Sequence, residues 1–390
     1  VSFLKDADLI AGETIAIDGT KSRAHNSKKA NYNQKKIDKH LEYIEAKTQE
    51  YLDALEENDA KENLPKIKNI QQKIERLQQN KIRYELLEEK LKASGEPQIS
   101  TTDSDARALL VQGQVVEISF NMQAAVDAKH NLVVATHTIN KNDRSALSAI
   151  AIEAKENLGI ETYTALVDKG YHNGKQIEIC KQANITTIVA QPEQGKSNEN
   201  GTAKDYLAAQ FQYDKDTDTY TCPQGETLKT TGSWHKKTTD RDSYNFKKYR
   251  TPKCKECPVK HLCTSRSGGR EIDRSQYADA VEENNKRYHA NAQLYRKRQE
   301  INEHIFGTIK RQWGYNHTNL TGLEKVNGEH NLIMLVYNIK RSINILGVPD
   351  LIAKLKKWNS PYKAKVWFLL KTEYLKLNTT YNFYPMKFAA

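Results

Sequence analysis

The chain has 390 residues, a mean hydropathy of −0.78 and a net charge of +11, from 60 basic and 49 acidic residues. Its length fits two or three domains. No apolar run approaches the roughly 18–20 residues that cross a bilayer, the start shows no signal-peptide pattern, and five cysteines are too few for a disulfide scaffold. These features argue against membrane and secreted proteins and predict a cytoplasmic one.

The positive charge is unevenly distributed along the chain. Residues 222–298 contain 18 basic and 9 acidic side chains, and residues 304–390 contain 13 and 4, whereas residues 33–92 are neutral. Basic blocks of this kind favour a polyanionic partner such as DNA, whose phosphates attract Lys and Arg. The alternative is a basic surface that only keeps the protein soluble.

The N-terminal part predicts one strand followed by a helical arm. The alternating apolar residues of ETIAID indicate a short strand that ends at Asp18, before a turn. Apolar residues then recur at helical spacing over 33–93. This pattern predicts two long antiparallel helices, a hairpin inserted as residues 25–95 into another domain.

The middle of the chain predicts a mixed sheet. Two strands separated by residues 129–131 form a hairpin, and a helix follows from Asp143, the expected N-cap, to Asn157. A strand that ends at Asp168, a short helix and a strand stopped by Pro192 complete the run. Without the arm the order is βββαβαβ, which predicts an α/β (α+β) fold with a mixed sheet flanked by helices.

The remaining residues predict an insertion, two helical stretches and a tail. Residues 193–275 are expected to form a β-rich basic insertion with four cysteines. Helices are predicted over 276–312 and 323–346, and residues 348–390 are a basic, aromatic tail without clear order. The predicted core therefore consists of residues 1–24, 96–192 and 276–347.

Two aspartates occupy equivalent positions, because Asp18 and Asp168 each end an apolar strand. If those strands are neighbours, the two carboxylates repel each other unless a cation lies between them. Mg²⁺ and Mn²⁺ prefer such oxygen ligands, and a pair of ions about 3.5–4 Å apart activates water and stabilises the leaving oxygen of a phosphodiester. Glu303, on a predicted helix, is the candidate third ligand. The alternative is that both aspartates only form turns.

Three blocks of the chain, AIDGTK, ALVDKGYHNG and EINEHIFGTIKR, resemble the catalytic blocks of bacterial insertion-sequence transposases of the DDE type, which have a ribonuclease-H-like core. The resemblance implies that Asp18, Asp168 and Glu303 hold Mg²⁺ or Mn²⁺. It also implies DNA cleavage at the ends of the element, followed by attack of the freed 3′-hydroxyl on target DNA. The implied partners are double-stranded DNA and a second copy of the chain, and Lys310 is expected to contact a phosphate near the metals.

Two features differ from that family. Its members have Tyr and Arg seven and four residues before the glutamate, where this chain has Arg296 and Gln299; Tyr295 and Arg298 lie one step away. Its members also carry a helical DNA-binding domain before the first aspartate, whereas 17 residues precede Asp18 here. We therefore expect the chain to lack that domain, on which sequence-specific binding of the element ends depends in the family that it resembles.

Four of the five cysteines lie within one short stretch of the predicted insertion. Four thiols suit a tetrahedral Zn²⁺ site that stabilises a small insert without a core of its own. His235 or His261 is an alternative for one ligand, and four reduced thiols without metal are the alternative for the whole site. Cys180 is expected in the core. The predicted zinc ligands are Cys222, Cys254, Cys257 and Cys263.

Basic and aromatic residues alternate around these cysteines, with Trp234, Tyr244 and Tyr249 among them. Such a mixture grips phosphates and stacks on unpaired bases. The predicted DNA-binding residues are Lys236, Lys237, Lys247, Lys248, Arg250, Arg296, Arg298, Lys310 and Arg311.

Two other functions fit the same residues. One is a ribonuclease-H-like nuclease or resolvase that cleaves DNA without strand transfer. The other is a non-catalytic, zinc-stapled DNA-binding remnant of a transposase.

Overall fold

The computed structural model describes residues 1–25, 28–59, 64–111, 115–192, 202–239 and 243–358. Most of the predicted tail, from residue 359 onwards, lies outside the described residues. The strands are β1 (Thr14–Arg23), β2 (Asn31–Tyr32), β3 (Ile99–Ser100), β4 (Arg107–Val111), β5 (Val115–Asp127), β6 (Leu132–Ile139), β7 (Tyr163–Val167), β8 (Ile185–Val189), β9 (Gln212–Asp214), β10 (Thr219–Thr221), β11 (Thr227–Lys229), β12 (Trp234–Thr238), β13 (Ser243–Tyr249) and β14 (Ile272–Ser275). The α-helices are α1 (Ser2–Asp6), α2 (Gln34–Asp59), α3 (Leu64–Ser94), α4 (Leu147–Leu158), α5 (Gly174–Gln182), α6 (Lys260–Cys263), α7 (Ala278–Ala290), α8 (Ala292–Phe306), α9 (Leu323–Leu346) and α10 (Val348–Lys357).

The central sheet has the strand order β6–β5–β1–β7–β8, and β4 pairs with the first half of β5. β1 is antiparallel to β5 and parallel to β7, and β7 is parallel to β8. Three antiparallel strands thus precede two parallel ones, with α4 leading into β7 and α5 into β8. This mixed sheet with flanking helices is the ribonuclease-H-like arrangement, so the predicted fold class is confirmed.

The two faces of the sheet are covered by different helices. Successive side chains of a strand point to opposite faces. Ile15 and Ile17 of β1 therefore pack into the core that includes α4 and α5, whereas Ala16 packs with residues of α8 and α9. Asp18 comes two residues after Ala16 and points to the same face, so its carboxylate lies on the side of α8.

The predicted end of β1 is wrong. The strand continues through Arg23, because β5 is long enough to pair with it as far as Ser119. Gly19 therefore lies inside the strand and not in a turn. A Cβ at Gly19 would lie 2.2 Å from Nε2 of Gln123, so glycine lets this β5 side chain approach the backbone directly after Asp18.

Helix boundaries also differ from the prediction. The predicted N-cap Asp143 makes no capping bond, because a 3₁₀ turn over Asp143–Ser145 precedes α4 and the carboxylate accepts hydrogen bonds from other side chains. The helix predicted over 276–312 is divided at Asn291, and its last turn, Gly307–Gln312, is π-helical. Part of the tail, expected to lack clear order, forms α10. The helix predicted over 323–346 is α9.

The arm consists of α2 and α3. Gln34 hydrogen-bonds Glu88 and Lys81 pairs with Glu45, so the two helices run antiparallel. Its base is held by the β2–β3 pair and by a small apolar cluster. The buried residues of that cluster are Tyr32, Ile37, Leu87 and Leu91.

The region before α7 contains two further three-stranded sheets, β11–β10–β9 and β12–β13–β14. They share a small core of aromatic and aliphatic side chains, among them Phe211, Tyr220 and Tyr249. Within the described parts of the chain, no helix combines the length and apolar character needed to span a membrane.

Candidate active site

Asp18 and Asp168 lie side by side at the centre of the sheet. β1 and β7 are parallel neighbours, and Ile17 is in register with Val167, so each aspartate directly follows a paired residue. A single guanidinium bridges the two carboxylates: Nη1 of Arg298 lies 3.0 Å from Oδ2 of Asp18, and Nη2 lies 3.2 Å from Oδ1 of Asp168. The strand pairing thus brings two of the predicted ligands together around one positive charge.

Burial dominates the electrostatics of Asp18. It raises the pKa of this carboxyl group to about 6, although Arg298 and the N–H of Gly19 favour the charged form. The nearby carboxylates of Asp168 and Asp143 raise the pKa further. A second cation therefore stabilises the charged form of such a buried carboxylate more than it would stabilise an exposed one.

Glu303 lines the same cavity as Asp18. The cavity has a volume of about 980 Å³, and Lys21, Arg298 and Lys310 also line it. The Glu303 side chain is exposed and accepts a hydrogen bond of 2.7 Å from Nε2 of Gln299, one turn earlier on α8. Asp18 and Glu303 therefore face a common space, with α8 forming one wall and β1 the other.

The donor set fits a divalent cation in its chemistry. The carboxylates are hard oxygen ligands of the kind that Mg²⁺ and Mn²⁺ prefer, and two of them already share a cationic group. Among the described residues, however, no three His, Cys, Asp or Glu side chains are close enough to hold an ion. Glu303 thus lies in the cavity without joining the aspartates in a ligand cluster, and the predicted triad stays a prediction.

Lys310 extends into this cavity from the π-helical turn that follows α8. Its Nζ donates to the carbonyl of Lys21 at 2.6 Å. Burial, and then the charge of Lys21, lower the pKa of Lys310 to about 8. An ammonium group that is partly desolvated beside a cavity is suited to bind an entering phosphate oxygen.

Several polar side chains beside Asp18 did not stand out in the sequence analysis. Asn121 and Gln123 are fully buried on β5, Lys21 lies on β1, and the buried Tyr171 follows Asp168. A signal was present for two of them, because SFNMQAAV places Asn and Gln at alternate positions of an otherwise apolar strand. Buried amides in a sheet usually serve a hydrogen-bond network.

The residues predicted to bind DNA lie in different settings. Arg298 is mostly buried against the two aspartates, and Lys247 and Lys248 form ion pairs with Asp218 and Glu271 at 2.8 and 3.0 Å. The remaining predicted DNA-binding residues besides Lys310 are exposed, and they are Lys236, Lys237, Arg250, Arg296 and Arg311.

One exposed aromatic residue accompanies these cations. Trp234, the first residue of β12, is 55% exposed, and Nζ of Lys247 lies 5.3 Å from its ring centroid. The side chains of β12 are all exposed, so this edge strand presents both Trp234 and two lysines to solvent.

The four predicted zinc ligands are free thiols, and among the described residues no three of them lie close enough together to hold an ion. Burial raises the pKa of Cys263, and the other three cysteines add to that effect. The backbone N–H of Glu226 donates to Sγ of Cys222 at 3.3 Å. A Cβ at Gly269 would lie 2.4 Å from Cβ of Cys254, so that glycine permits a close approach. Cys180 is buried in the core, where burial raises its pKa to about 12.

Comparison with known proteins identifies one family. Residues 221–343 match the family model of the transposase DDE domain. That range contains Glu303, Lys310 and the four clustered cysteines, but neither aspartate. No curated protein and no solved structure matches the chain significantly.

Proposed function

We propose that this chain, whose residues 221–343 match the transposase DDE domain, cleaves DNA at the ends of an insertion sequence and transfers the freed strands into target DNA. The observation that carries the proposal is the pairing of Asp18 and Asp168, on adjacent parallel strands, around one cationic group. Both carboxylates belong to a ribonuclease-H-like sheet, and Glu303 faces the cavity beside them.

Asp18, Asp168 and Glu303 would hold Mg²⁺ or Mn²⁺. Such an ion, when bound, supplies a polarised water or 3′-hydroxyl and neutralises charge on the phosphodiester. The chain itself contributes the placement of the substrate. Lys310 lines the cavity with a pKa near 8, so its ammonium group can bind a phosphate oxygen at neutral pH. Arg298 balances part of the negative charge of the two aspartates.

The test uses the full chain, Mg²⁺ and a labelled duplex that contains the DNA flanking the gene at either end. Joined products support the transposase. Nicks without joined products would identify a nuclease or resolvase, and a mobility shift without chemistry would identify a binding remnant. We expect Glu303→Gln to reduce cleavage at least about 100-fold, because it removes a charged metal ligand. The matched control is Glu300→Gln, on the exposed part of the same helix.

We infer that the β12–β13 hairpin contacts DNA. Lys236 and Lys237 are exposed on its edge strand, and Trp234 offers an aromatic face beside them. Lysines of this kind bind phosphates, and an exposed indole stacks on an unpaired base. Two element ends must meet for strand transfer, so we expect the chain to act as a homodimer on DNA. Sizing of the protein–DNA complex by light scattering tests this expectation.

We infer that Cys222, Cys254, Cys257 and Cys263 bind one structural Zn²⁺. Support comes from the other three thiols, which together act on the pKa of Cys263, and from the N–H of Glu226, which donates to Sγ of Cys222. Binding of an ion would draw the four thiols closer together than they lie in the described residues. Metal analysis of the purified chain should give about one zinc per molecule, lost in Cys254→Ser but kept in Cys180→Ala. Wild-type protein without zinc would contradict the site.

A further inference from the structure

The Asp143 side chain does not cap α4, although a helix N-cap is predicted at this position. Its two carboxylate oxygens instead accept hydrogen bonds from three side chains. Oδ2 accepts from Nζ of Lys21 at 2.8 Å, and Oδ1 accepts from Nδ2 of Asn121 at 2.8 Å and from Nε2 of Gln123 at 3.0 Å. The donors come from β1 and β5, so Asp143 ties its own loop to both central strands.

The carboxylate of Asp143 lies against the backbone beside both proposed ligands. A Cβ at Gly19, the residue after Asp18, would lie 2.7 Å from Oδ1 of Asp143. A Cβ at Gly170, two residues after Asp168, would lie 3.8 Å from Oδ2 of Asp143 and equally far from Oδ2 of Asp168. Glycine is required at position 19 for this approach, whereas at position 170 a Cβ would make ordinary van der Waals contacts. One carboxylate therefore lies against both segments that carry the proposed metal ligands.

A second connection runs through Tyr171. This residue is buried in the turn that begins after Asp168, and its hydroxyl group donates a short hydrogen bond to Oε1 of Gln123. Gln123 in turn donates to Asp143. Lys21 on β1 and Tyr171 beyond β7 are therefore joined through a single amide and a single carboxylate.

The charge of this network is balanced. Burial tends to raise the pKa of Asp143, but Lys21 and the hydrogen bonds outweigh it, and the pKa lies below the usual aspartate value. The side chains of Asp143 and Lys21 are 23% and 15% exposed, so the ion pair is protected from solvent. An ionised Asp143 accepts all three bonds at once, which a neutral amide in its place does not do.

We propose that Asp143 is a positioning residue, which holds the segments bearing Asp18 and Asp168 at a fixed separation through Lys21, Gln123 and Tyr171. This role rests on the proposed metal-dependent function. Carboxylates behind the ligands of a metal site orient those ligands, and their loss weakens metal binding typically about 10- to 100-fold.

The decisive variant is Asp143→Glu, which keeps the charge but moves the carboxylate by one methylene. Electron paramagnetic resonance of free Mn²⁺ gives the metal affinity of the full chain, and thermal unfolding gives its stability. We expect Asp143→Glu to raise the Kd for Mn²⁺ at least about tenfold, with a fall in cleavage of the labelled duplex. A role of Asp143 through charge alone would leave this variant like the wild type.

The matched control is Asp127→Glu. Asp127 is fully buried near the far end of β5 and accepts bonds from the backbone N–H groups of Ala11, Gly12 and Lys129. We expect this variant to unfold at a lower temperature but to keep the wild-type affinity for Mn²⁺. If Asp143→Glu does not fold, Tyr171→Phe removes only the hydroxyl group that donates to Gln123, and it should raise the Kd in the same direction.

The outcomes separate the two proposals. A wild-type chain that binds no Mn²⁺ refutes the proposed function, and this role with it. Wild-type binding that both Asp143→Glu and Tyr171→Phe leave unchanged refutes the role of Asp143 alone. An equal loss of Mn²⁺ affinity in Asp127→Glu would also refute it, because general loosening of the fold would then explain the effect.

Discussion

Two buried asparagine side chains differ in whether their amide groups have hydrogen-bond partners. Asn302 on α8 is 2% exposed, and neither polar atom of its amide has a hydrogen-bond partner among the described residues. Asn284 on α7 is equally buried, but its amide makes two bonds of 2.9 Å with the backbone of Val189. β8 is the last strand of the sheet, so Asn284 covers part of an open sheet edge.

We expect the two asparagines to respond oppositely to the same substitution. Asn302→Leu removes an amide that is buried without partners and should raise the free energy of unfolding by about 1 kcal/mol. Asn284→Leu leaves two backbone groups of Val189 unpaired and should lower it by about 2–3 kcal/mol. Urea unfolding of both variants measures the difference. A loss of stability in Asn302→Leu would show that its amide has a partner in solution.

At the scale of elements, α9 is fixed to the sheet by a buried imidazole. His330 is fully buried, and its Nδ1 lies 2.8 Å from Oγ1 of Thr138 on β6. Burial lowers the pKa of His330 to about 4, against an ordinary value near 6.5. The folded chain therefore takes up this proton only well below the pH at which the unfolded chain does.

This difference predicts a loss of stability in acid. Between pH 6.5 and about 4 the unfolded state binds a proton that the folded state does not, so the free energy of unfolding falls as the pH falls. His330 lowers the free energy of unfolding by about 3 kcal/mol as the pH falls through this window. Above pH 6.5 this loss of stability does not occur. His330→Gln should flatten the slope between pH 6.5 and 4, as measured by urea unfolding at several pH values. An unchanged slope would mean that other groups dominate.

At this scale the sequence predicted the elements better than their ends. The predicted bounds of α9 agree with the structure. Its apolar residues lie on more than one face, because Met334 and Tyr337 are buried whereas Leu332 and Leu335 are exposed. The end of β1 was missed because Gly19 reads as a turn locally, whereas pairing with the distant β5 decides the strand. The extra 3₁₀ turn at Asp143 was missed for a related reason: its bonds go to Lys21, Asn121 and Gln123, which are remote in sequence.

At the scale of the whole molecule, two aspartates separated by 149 residues meet because β1 and β7 pair in parallel. This meeting could be predicted for neighbouring strands, because each aspartate directly follows an apolar strand segment in the sequence. The sequence did not predict that Arg298 bridges the two aspartates. Its position near Glu303 on a basic helix indicated a contact with DNA instead. An ion pair that depends on how α8 crosses the sheet requires the tertiary structure.

The basic surface predicts how DNA binding depends on salt. Each lysine that contacts a phosphate adds close to one unit to the slope of log affinity against log salt. We expect the double variant Lys236→Gln/Lys237→Gln to reduce the magnitude of that slope by about 2. Fluorescence anisotropy over a salt series measures it. The matched control is Lys247→Gln, whose ammonium group is already paired with Asp218 and should matter less.

The helical arm has a consequence for the order of folding. It lies between β1, which ends at Arg23, and β5, which begins at Val115, and this stretch would be a long loop to close if it were unstructured. Because α2 and α3 double back and the β2–β3 pair joins Asn31 to Ser100, the arm returns the chain to where it left. Helical hairpins form through local contacts, and such contacts form fast. The arm therefore acts as a short connection, and strand pairing at the centre can follow arm formation without a large further loss of chain entropy.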